Sequence, residues 1–441
     1  MPSQRERLIQ AMIELSARAG YQTASIAQVS SLAGVSSATF YEQFRDKEDC
    51  LLEAYRTVNE QSFDRMRLAM GSGDWAIATR DAFAELLNSV ESEPSGARVQ
   101  FIEARAGGPR LREEIARALD EFEAGAESLL AHPPEGHTTL DVPARALVGA
   151  VRGLVARHLR THSEDRLPLL TDDILGWMGS YAVPSQRGRW STGPHALLTA
   201  EAVRDHLTAG AATLAIEPLP RGRHRLPPGV VARSQRTRII LATAQATMVK
   251  GYADTTVADI VAAAGVAKES FYKHFTDKQH AFLEAQQQFT QDILDLCVAS
   301  YFAEESWPRR VWSALRTLLS LIASNPAIAH LRLVECYAAG PEAVRRAEEI
   351  TRSFTIFLEE GYRHRPQARE LSHMSSQAIT GAIFEIIQRQ VEDGRSAETQ
   401  RLLPQLTYIA IAPFAGPDQA IRLVEEMRSE LETAPPPSST A

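Results

Sequence analysis

Two stretches of this 441-residue sequence, GVSSATFYEQF (34–44) and GVAKESFYKHF (265–275), concentrate side chains able to recognise another molecule. The first offers Ser37, Thr39, Tyr41 and Gln43. The second offers Lys268, Glu269, Ser270, Tyr272, Lys273 and His274. Neither contains a nucleophile paired with a base, and the chain shows no Gly-rich phosphate loop, GxSxG elbow or HExxH pair, which argues against an enzyme. What these residues can do is hydrogen-bond and attract anions. Lys47 and Lys278 come at the start of the next helix, where an ammonium and the helix's free N–H groups can share one phosphate.

The flanking residues fix how these groups are held. Ser25 and Thr256 are suited to cap a short helix that carries Ile26, Val29 and Leu32 inward in the first stretch and ends at Gly34 or Gly265, where positive φ is easily adopted. Ser36 is placed to cap a second short helix. Phe40 and Phe44, like Phe271 and Phe275, are four apart and share its inward face, whereas Tyr41 and Tyr272 are turned about 100° away. Two short helices joined by a tight turn form a helix-turn-helix, whose second helix enters the major groove of DNA. Tyr41, Tyr272, Lys47, Lys278 and the caps Ser25, Ser36 and Thr256 are then expected at phosphates. Thr39, Gln43, Glu269, Ser270, Lys273 and His274 are expected at base edges, with Ser37 and Lys268 beside them.

The chain is written twice. Gly20-Tyr21 recurs as Gly251-Tyr252, Phe40-Tyr41 as Phe271-Tyr272 and Asp46-Lys47 as Asp277-Lys278, all at an offset of 231 (272 − 41 = 231). Further on, Glu103 pairs with Glu335 and Gly149 with Gly381 at an offset of 232 (335 − 103 = 232). A register kept across separated blocks implies duplication of a unit of about 200 residues rather than an array of small repeats. Helical periodicity runs through ERLIQAMIELSARAG, DWAIATRDAFAELLNSV, PRLREEIARALDEFEAGAESLLAH and VPARALVGAVRGLVARHLR, and no strand-type alternation stands out. The fold class expected is all-α.

The segments RLIQAMIELSARAGYQTASIAQVSSLAGVSSATFYEQFRDKEDCL and RIILATAQATMVKGYADTTVADIVAAAGVAKESFYKHFTDKQHAF both resemble the DNA-binding domain of the tetracycline-repressor (TetR) family of bacterial transcription regulators. The blocks around EARAGGP and VECYAAGP resemble that family's C-terminal regions. The resemblance implies two units, each a three-helix helix-turn-helix domain followed by a helical effector and dimerisation domain enclosing a small-molecule pocket. It departs from the usual member in having two units per chain. The organisation expected is a first DNA-binding domain at 1–55, a first effector domain at 56–215 with a helix near 195–214, a linker at 216–230, a second DNA-binding domain at 231–285, a second effector domain at 286–432 and a disordered tail at 433–441.

Candidates for lining an effector pocket are Trp75, Phe83, Phe101, Arg105 and Phe122 in the first copy and Trp312, Leu318, Tyr337 and Phe354 in the second, with Glu103 and Glu335 as further polar groups. His158 and His162, four apart, have a spacing able to hold a metal, but no third ligand accompanies them, and a solvated or capping role is expected. No metal and no cofactor is expected. The helices at 142–162 and 168–182, with counterparts at 371–391 and 401–414, are apolar enough to pair in a four-helix bundle. Pairing within the chain gives a covalent pseudo-dimer, with heads about 34–36 Å apart on an imperfectly palindromic operator. Pairing between chains gives a homodimer.

Composition agrees with this reading: 44% hydrophobic and 23% charged residues, with a net charge of −8. Arg221 to Arg238 is a locally basic stretch. Cys50, Cys297 and Cys336 stand far apart and are expected as buried small hydrophobes in a reducing cytoplasm. A charged N-terminus and the lack of a long apolar run imply no membrane partner. Glu42, Glu48 and Asp49 put acid near the first head's DNA face, so that head is expected to be the weaker electrostatic binder. The expected function is a DNA-binding regulator, a repressor released by a small-molecule effector. The alternative is an interaction or antagonist module that has lost DNA binding.

Overall fold

A computed structural model describes residues 2–71, 75–131, 138–184, 187–203 and 228–433. The described helices in the first half are α1 (Gln4–Ala19), α2 (Ile26–Ala33), α3 (Ser37–Gln43), α4 (Lys47–Met70), α5 (Trp75–Ser92), α6 (Pro94–Phe101), α7 (Pro109–Ala131), α8 (Ala144–Arg160), α9 (Thr171–Gly179) and the short α10 (Ala200–Ala202). In the second half they are α11 (Pro228–Lys250), α12 (Val257–Ala264), α13 (Lys268–His274), α14 (Lys278–Phe302), α15 (Trp307–Ser324), α16 (Pro326–Leu333), α17 (Pro341–Ser353), α18 (Met374–Glu392), α19 (Leu403–Ala415) and α20 (Pro417–Thr433). The protein is all-α. One exception to the sequence reading is a two-residue antiparallel pairing, Thr139 with Val183 and Leu140 with Ala182.

Two compact units result: Met1–Arg189 with Arg369–Ala382, and Trp190–Ala368 with Ile383–Ala441. In the first unit the head and the effector helices share one core. Leu8, Met12, Phe40, Phe44, Leu51 and Tyr55 of the head join Val99, Ala104, Leu111 and Ile115. Helix α4 runs unbroken through position 55, so the helix that closes the head continues into the C-terminal part of the unit. In the second unit Ile240, Phe271, Phe275 and Phe282 join Ile328, Leu331, Cys336 and Ala343, and α14 runs through position 285. Burying apolar side chains from both parts together ties the orientation of each head to its own effector helices.

The segment from Trp190 belongs to the second unit, where the Trp190 ring lies 5.0 Å from Tyr408 and the Leu198 N–H donates to the Arg401 carbonyl at 2.8 Å. Most of the helix expected at 195–214 falls outside the described residues, as do the linker at 216–227 and the tail beyond Thr433. Helix α11 begins at Pro228, inside the range expected for the linker. All three cysteines are buried and free. Among the described residues, no helix is long and apolar enough to cross a membrane.

Candidate nucleic-acid interface

Each head is built on local chemistry. The Ser25 hydroxyl accepts the Gln28 N–H, and the Gln28 side chain accepts the Ser25 N–H at 2.9 Å. Thr256 and Asp259 repeat this reciprocal cap. These caps satisfy otherwise orphaned donors at the helix start. Helix α2 ends at Gly34 with φ 64°, and α12 at Gly265 with φ 60°, the left-handed conformation that turns the chain into the next helix. Ser36 accepts the Thr39 N–H at 3.0 Å and starts α3. Ala267 stands at the corresponding place in the second head, so α13 begins without a side-chain cap.

Phe40 and Phe44 are buried on the inner face of α3 with ring centroids 5.6 Å apart, and Phe271 and Phe275 repeat the distance on α13. Tyr41 is 60% exposed and Tyr272 51%. Each tyrosine stands edge-on to its buried neighbour, at 5.6 Å from Phe40 and 5.4 Å from Phe271, so the core fixes the ring while the hydroxyl end faces solvent. Ser37, Lys268, Glu269 and Lys273 are exposed; Thr39, Gln43, Ser270 and His274 are half-buried beside them. Burial, and then the nearby Arg236 and Lys273 charges, hold the His274 imidazole below its ordinary pKa. The inward set differs from expectation at one place. Val29 and Ala33 fill the buried face of α2, which leaves Leu32 outside it at 47% exposure.

Lys47 and Lys278 occupy the same structural position. Lys47 Nζ donates to the carbonyls of Tyr21 and Ala24 at 3.0 Å and lies 4.2 Å from the Tyr21 ring centroid. Lys278 Nζ donates to Tyr252 O at 2.7 Å and lies 4.3 Å from the Tyr252 ring centroid. Burial lowers the pKa of both ammonium groups. The pair therefore ties the connection after the first helix to the long helix beyond the recognition helix.

Three contacts lay beyond the sequence reading. Arg238 donates to the carbonyls of Ala264 and, at 2.9 Å, Gly265, closing the C-terminus of α12. Arg45 comes just after α3 with its side chain 74% exposed, where the second head has Thr276. Glu48 and Asp49, expected as acid facing DNA, are turned onto Arg110, at 3.2 and 3.6 Å, and the Glu48 carboxylate also accepts the Leu111 N–H. Arg110 also pairs with Asp46 at 2.6 Å, so one guanidinium offsets only part of the charge of three carboxylates at the start of α4.

Glu103 and Glu335, expected as polar groups of a pocket, each bind a backbone N–H of their own head. Glu103 accepts the Tyr21 N–H at 2.8 Å and Glu335 the Tyr252 N–H at 2.6 Å. Of the residues expected around an effector, Phe101, Trp312, Leu318 and Phe354 are buried core. The Arg152 guanidinium lies over the Phe101 ring, Phe122 stacks on Phe63 at 5.2 Å, and the Tyr337 hydroxyl reaches Gln388 at 3.5 Å. Phe83 and Arg105 are half-buried, and the Trp75 side chain lies outside the described residues. His158 Nδ1 sits 2.9 Å from the Leu154 carbonyl. Among the described residues, no group of three or more potential metal ligands gathers.

Two short helices joined through a left-handed glycine, the second presenting an exposed tyrosine over a buried phenylalanine pair, define a helix-turn-helix protein with two heads. The model for bacterial regulatory proteins of the tetR family matches residues 8–54 and 239–285, covering both heads. Each head therefore carries that family's DNA-binding region, which is present twice, in tandem. Comparison with curated proteins gives no match. Among solved structures, the fatty acid degradation regulator FadR of Bacillus halodurans is 20% identical with a TM-score of 0.37, over 40% of this chain and 95% of its own. FadR of Bacillus subtilis, solved with stearoyl-CoA, is 20% identical with a TM-score of 0.35, over 39% and 96%. A transcriptional regulator of Rhodococcus sp. Rha1 is 25% identical with a TM-score of 0.35, over 41% and 100%.

Proposed function

We propose that this protein is an operator-binding transcription regulator whose two heads read the two halves of one imperfect palindrome, and that a small molecule held among the C-terminal helices releases it. The observation that carries the DNA reading is the duplicated pair Tyr41 and Tyr272. Each is exposed on a recognition helix whose underside is buried, which presents a rigidly backed ring and hydroxyl at the same place in both heads. The faces differ, with Ser37 and Gln43 in one and Lys268 and His274 in the other, so the half-sites should differ too.

Action as a single-chain pseudo-dimer is supported inside the first unit. A Cβ on Gly153 would lie 3.6 Å from the Gly381 Cα, so α8 and the start of α18 meet backbone to backbone, and the Arg157 guanidinium donates to Gln377. A covalent link keeps the partner at high effective concentration. Effector control arises from linkage. A ligand that prefers a conformation with displaced heads weakens operator binding, commonly by about 1–3 kcal/mol. Repression lifted by the ligand is the outcome, in the cytoplasm where the operator lies.

Selection of bound fragments from genomic DNA tests the reading. A recovered motif with two unlike halves supports it, and no salt-dependent DNA binding by the full chain overturns it. Light scattering decides the assembly, since a solution mass of two chains excludes the single-chain dimer.

A further inference from the structure

At the C-terminal end of α8 the first unit holds a cleft of about 670 Å³, lined by Arg157, His158, Thr161, His162, Ser163 and Arg166 on one side and by Met374 and Gln377 on another. Asp165 and Leu170 complete it. None of the residues expected to bind an effector lines it. Two guanidinium groups and two imidazoles face one carboxylate, and the two hydroxyls add further donors. Among the described residues no carboxylate pairs with Arg166.

The duplication shows which of these features the fold itself requires. At an offset of 232, Arg157 corresponds to Arg389, His158 to Gln390, His162 to Gly394 and Arg166 to Glu398. Both helices end in the same way: the Ser163 N–H donates to the His158 carbonyl at 3.0 Å and the Arg395 N–H to the Gln390 carbonyl at 2.9 Å. The residue between them in each terminator is left-handed, Gly394 with φ 73° and His162 with φ 50°. Among the described residues His162 is the one non-glycine with positive φ. Glycine serves that position without strain and is the residue of the second copy. The first copy keeps an imidazole there at an energetic cost, which points to a use for the side chain. Basic residues in a last helical turn complement the helix dipole, which accounts for Arg157 and His158. It does not account for His162 and Arg166, which lie beyond the helix.

We propose that this cleft binds a small polyanion, a molecule bearing phosphate groups or several carboxylates, gripped by Arg157, Arg166, His158 and His162. The guanidinium groups supply planar paired donors and the imidazoles the shorter reach, an arrangement suited to oxyanions. The site belongs to the first copy, because the second places Gln390, Gly394 and Glu398 at the corresponding positions.

The test is titration calorimetry of the full chain, without DNA, using inorganic pyrophosphate and citrate as separate probes. Saturable binding of at least one probe with one site per chain is expected, and which probe binds tells phosphate from carboxylate. Arg166→Ala and His162→Gly should each weaken that binding at least tenfold. The glycine variant should melt at or above the wild-type temperature, which separates loss of a ligand contact from loss of fold. No saturable binding of either probe, or unchanged affinity in either variant, overturns the proposal. Because DNA is absent, such a failure leaves the operator-binding reading standing.

Discussion

The Glu103 carboxylate accepts the backbone N–H of Tyr21 at 2.8 Å, joining the effector part of the first unit to the connection after its first helix. Glu335 does the same to Tyr252 at 2.6 Å. Gly20 and Gly251 precede the two tyrosines with φ 85° and 78°, and a Cβ on either would lie 3.8 or 3.7 Å from the same carboxylate oxygen. Lys47 and Lys278 close the other side of each joint by binding the tyrosine carbonyls. Backbone groups at the hinge of each head are thus held from both sides, one by an acid from the effector helices and one by a base from the long helix.

Breaking that joint should cost stability and loosen control together. Glu103→Ala leaves a part-buried N–H without its acceptor, an expected loss of about 1–3 kcal/mol in urea denaturation. Glu103→Gln keeps an acceptor and should lose less. Burial raises the Glu103 pKa against the opposing Tyr21 N–H and the Arg98 and Arg160 charges. The folded state therefore holds that proton more tightly than the unfolded chain. The wild-type advantage over Glu103→Gln should be greatest below the ordinary glutamate value and shrink as pH rises through the raised one. A difference that is flat with pH contradicts the assignment.

Phosphate contacts should be readable from salt. Lys268 and Lys273 are exposed on the recognition helix of the second head, so their loss should spare the fold. Each Lys→Ala change is expected to reduce the slope of log affinity against log salt by about 0.9 if the ammonium meets a phosphate. Lys278→Ala should differ. Its ammonium is bound to Tyr252 O, so the change should also lower the melting temperature, as measured by circular dichroism.

If His274 lies at the DNA interface, as proposed, operator binding should depend on pH. Its pKa is depressed in the free protein by burial and then by the Arg236 and Lys273 charges, and a phosphate nearby would raise it. Binding then takes up a proton, and affinity should rise as pH falls below the ordinary histidine value. His274→Gln should flatten that rise in fluorescence anisotropy titrations, and an identical pH profile in the variant would remove His274 from the interface.

The two turn glycines should not be equally replaceable. Alanine at either meets left-handed backbone, a penalty of about 1–2 kcal/mol. At Gly265 the new Cβ would also lie 2.8 Å from Arg238 Nη2, against 3.4 Å from Arg7 Nη1 at Gly34. Gly265→Ala should therefore displace the arginine that closes α12 and lose more stability than Gly34→Ala, as measured by denaturant midpoints.

Much of each head was legible in the sequence because its signals are local. Ser25 and Thr256 as caps, Gly34 and Gly265 in the turns, and Phe40 with Phe44 beneath Tyr41 all stem from spacings of three or four residues along a helix. The register of the duplication also paired Glu103 with Glu335, although it gave no hint that both reach back to a tyrosine N–H some 80 positions earlier. Such contacts depend on which helices meet, and spacing within a helix carries no information on that.

The sequence by itself determined the duplication, the all-helical class and the inward and outward faces of the recognition helices, since periodicity and capping act within a few residues. Tertiary structure decided where the charges go: Glu48 and Asp49 onto Arg110, Lys47 and Lys278 onto carbonyls, and His162 and Arg166 into one cleft. The reason is physical. A charge takes its partner from whatever folding brings within a few ångströms, and that neighbourhood exists only once the apolar faces have been buried against one another.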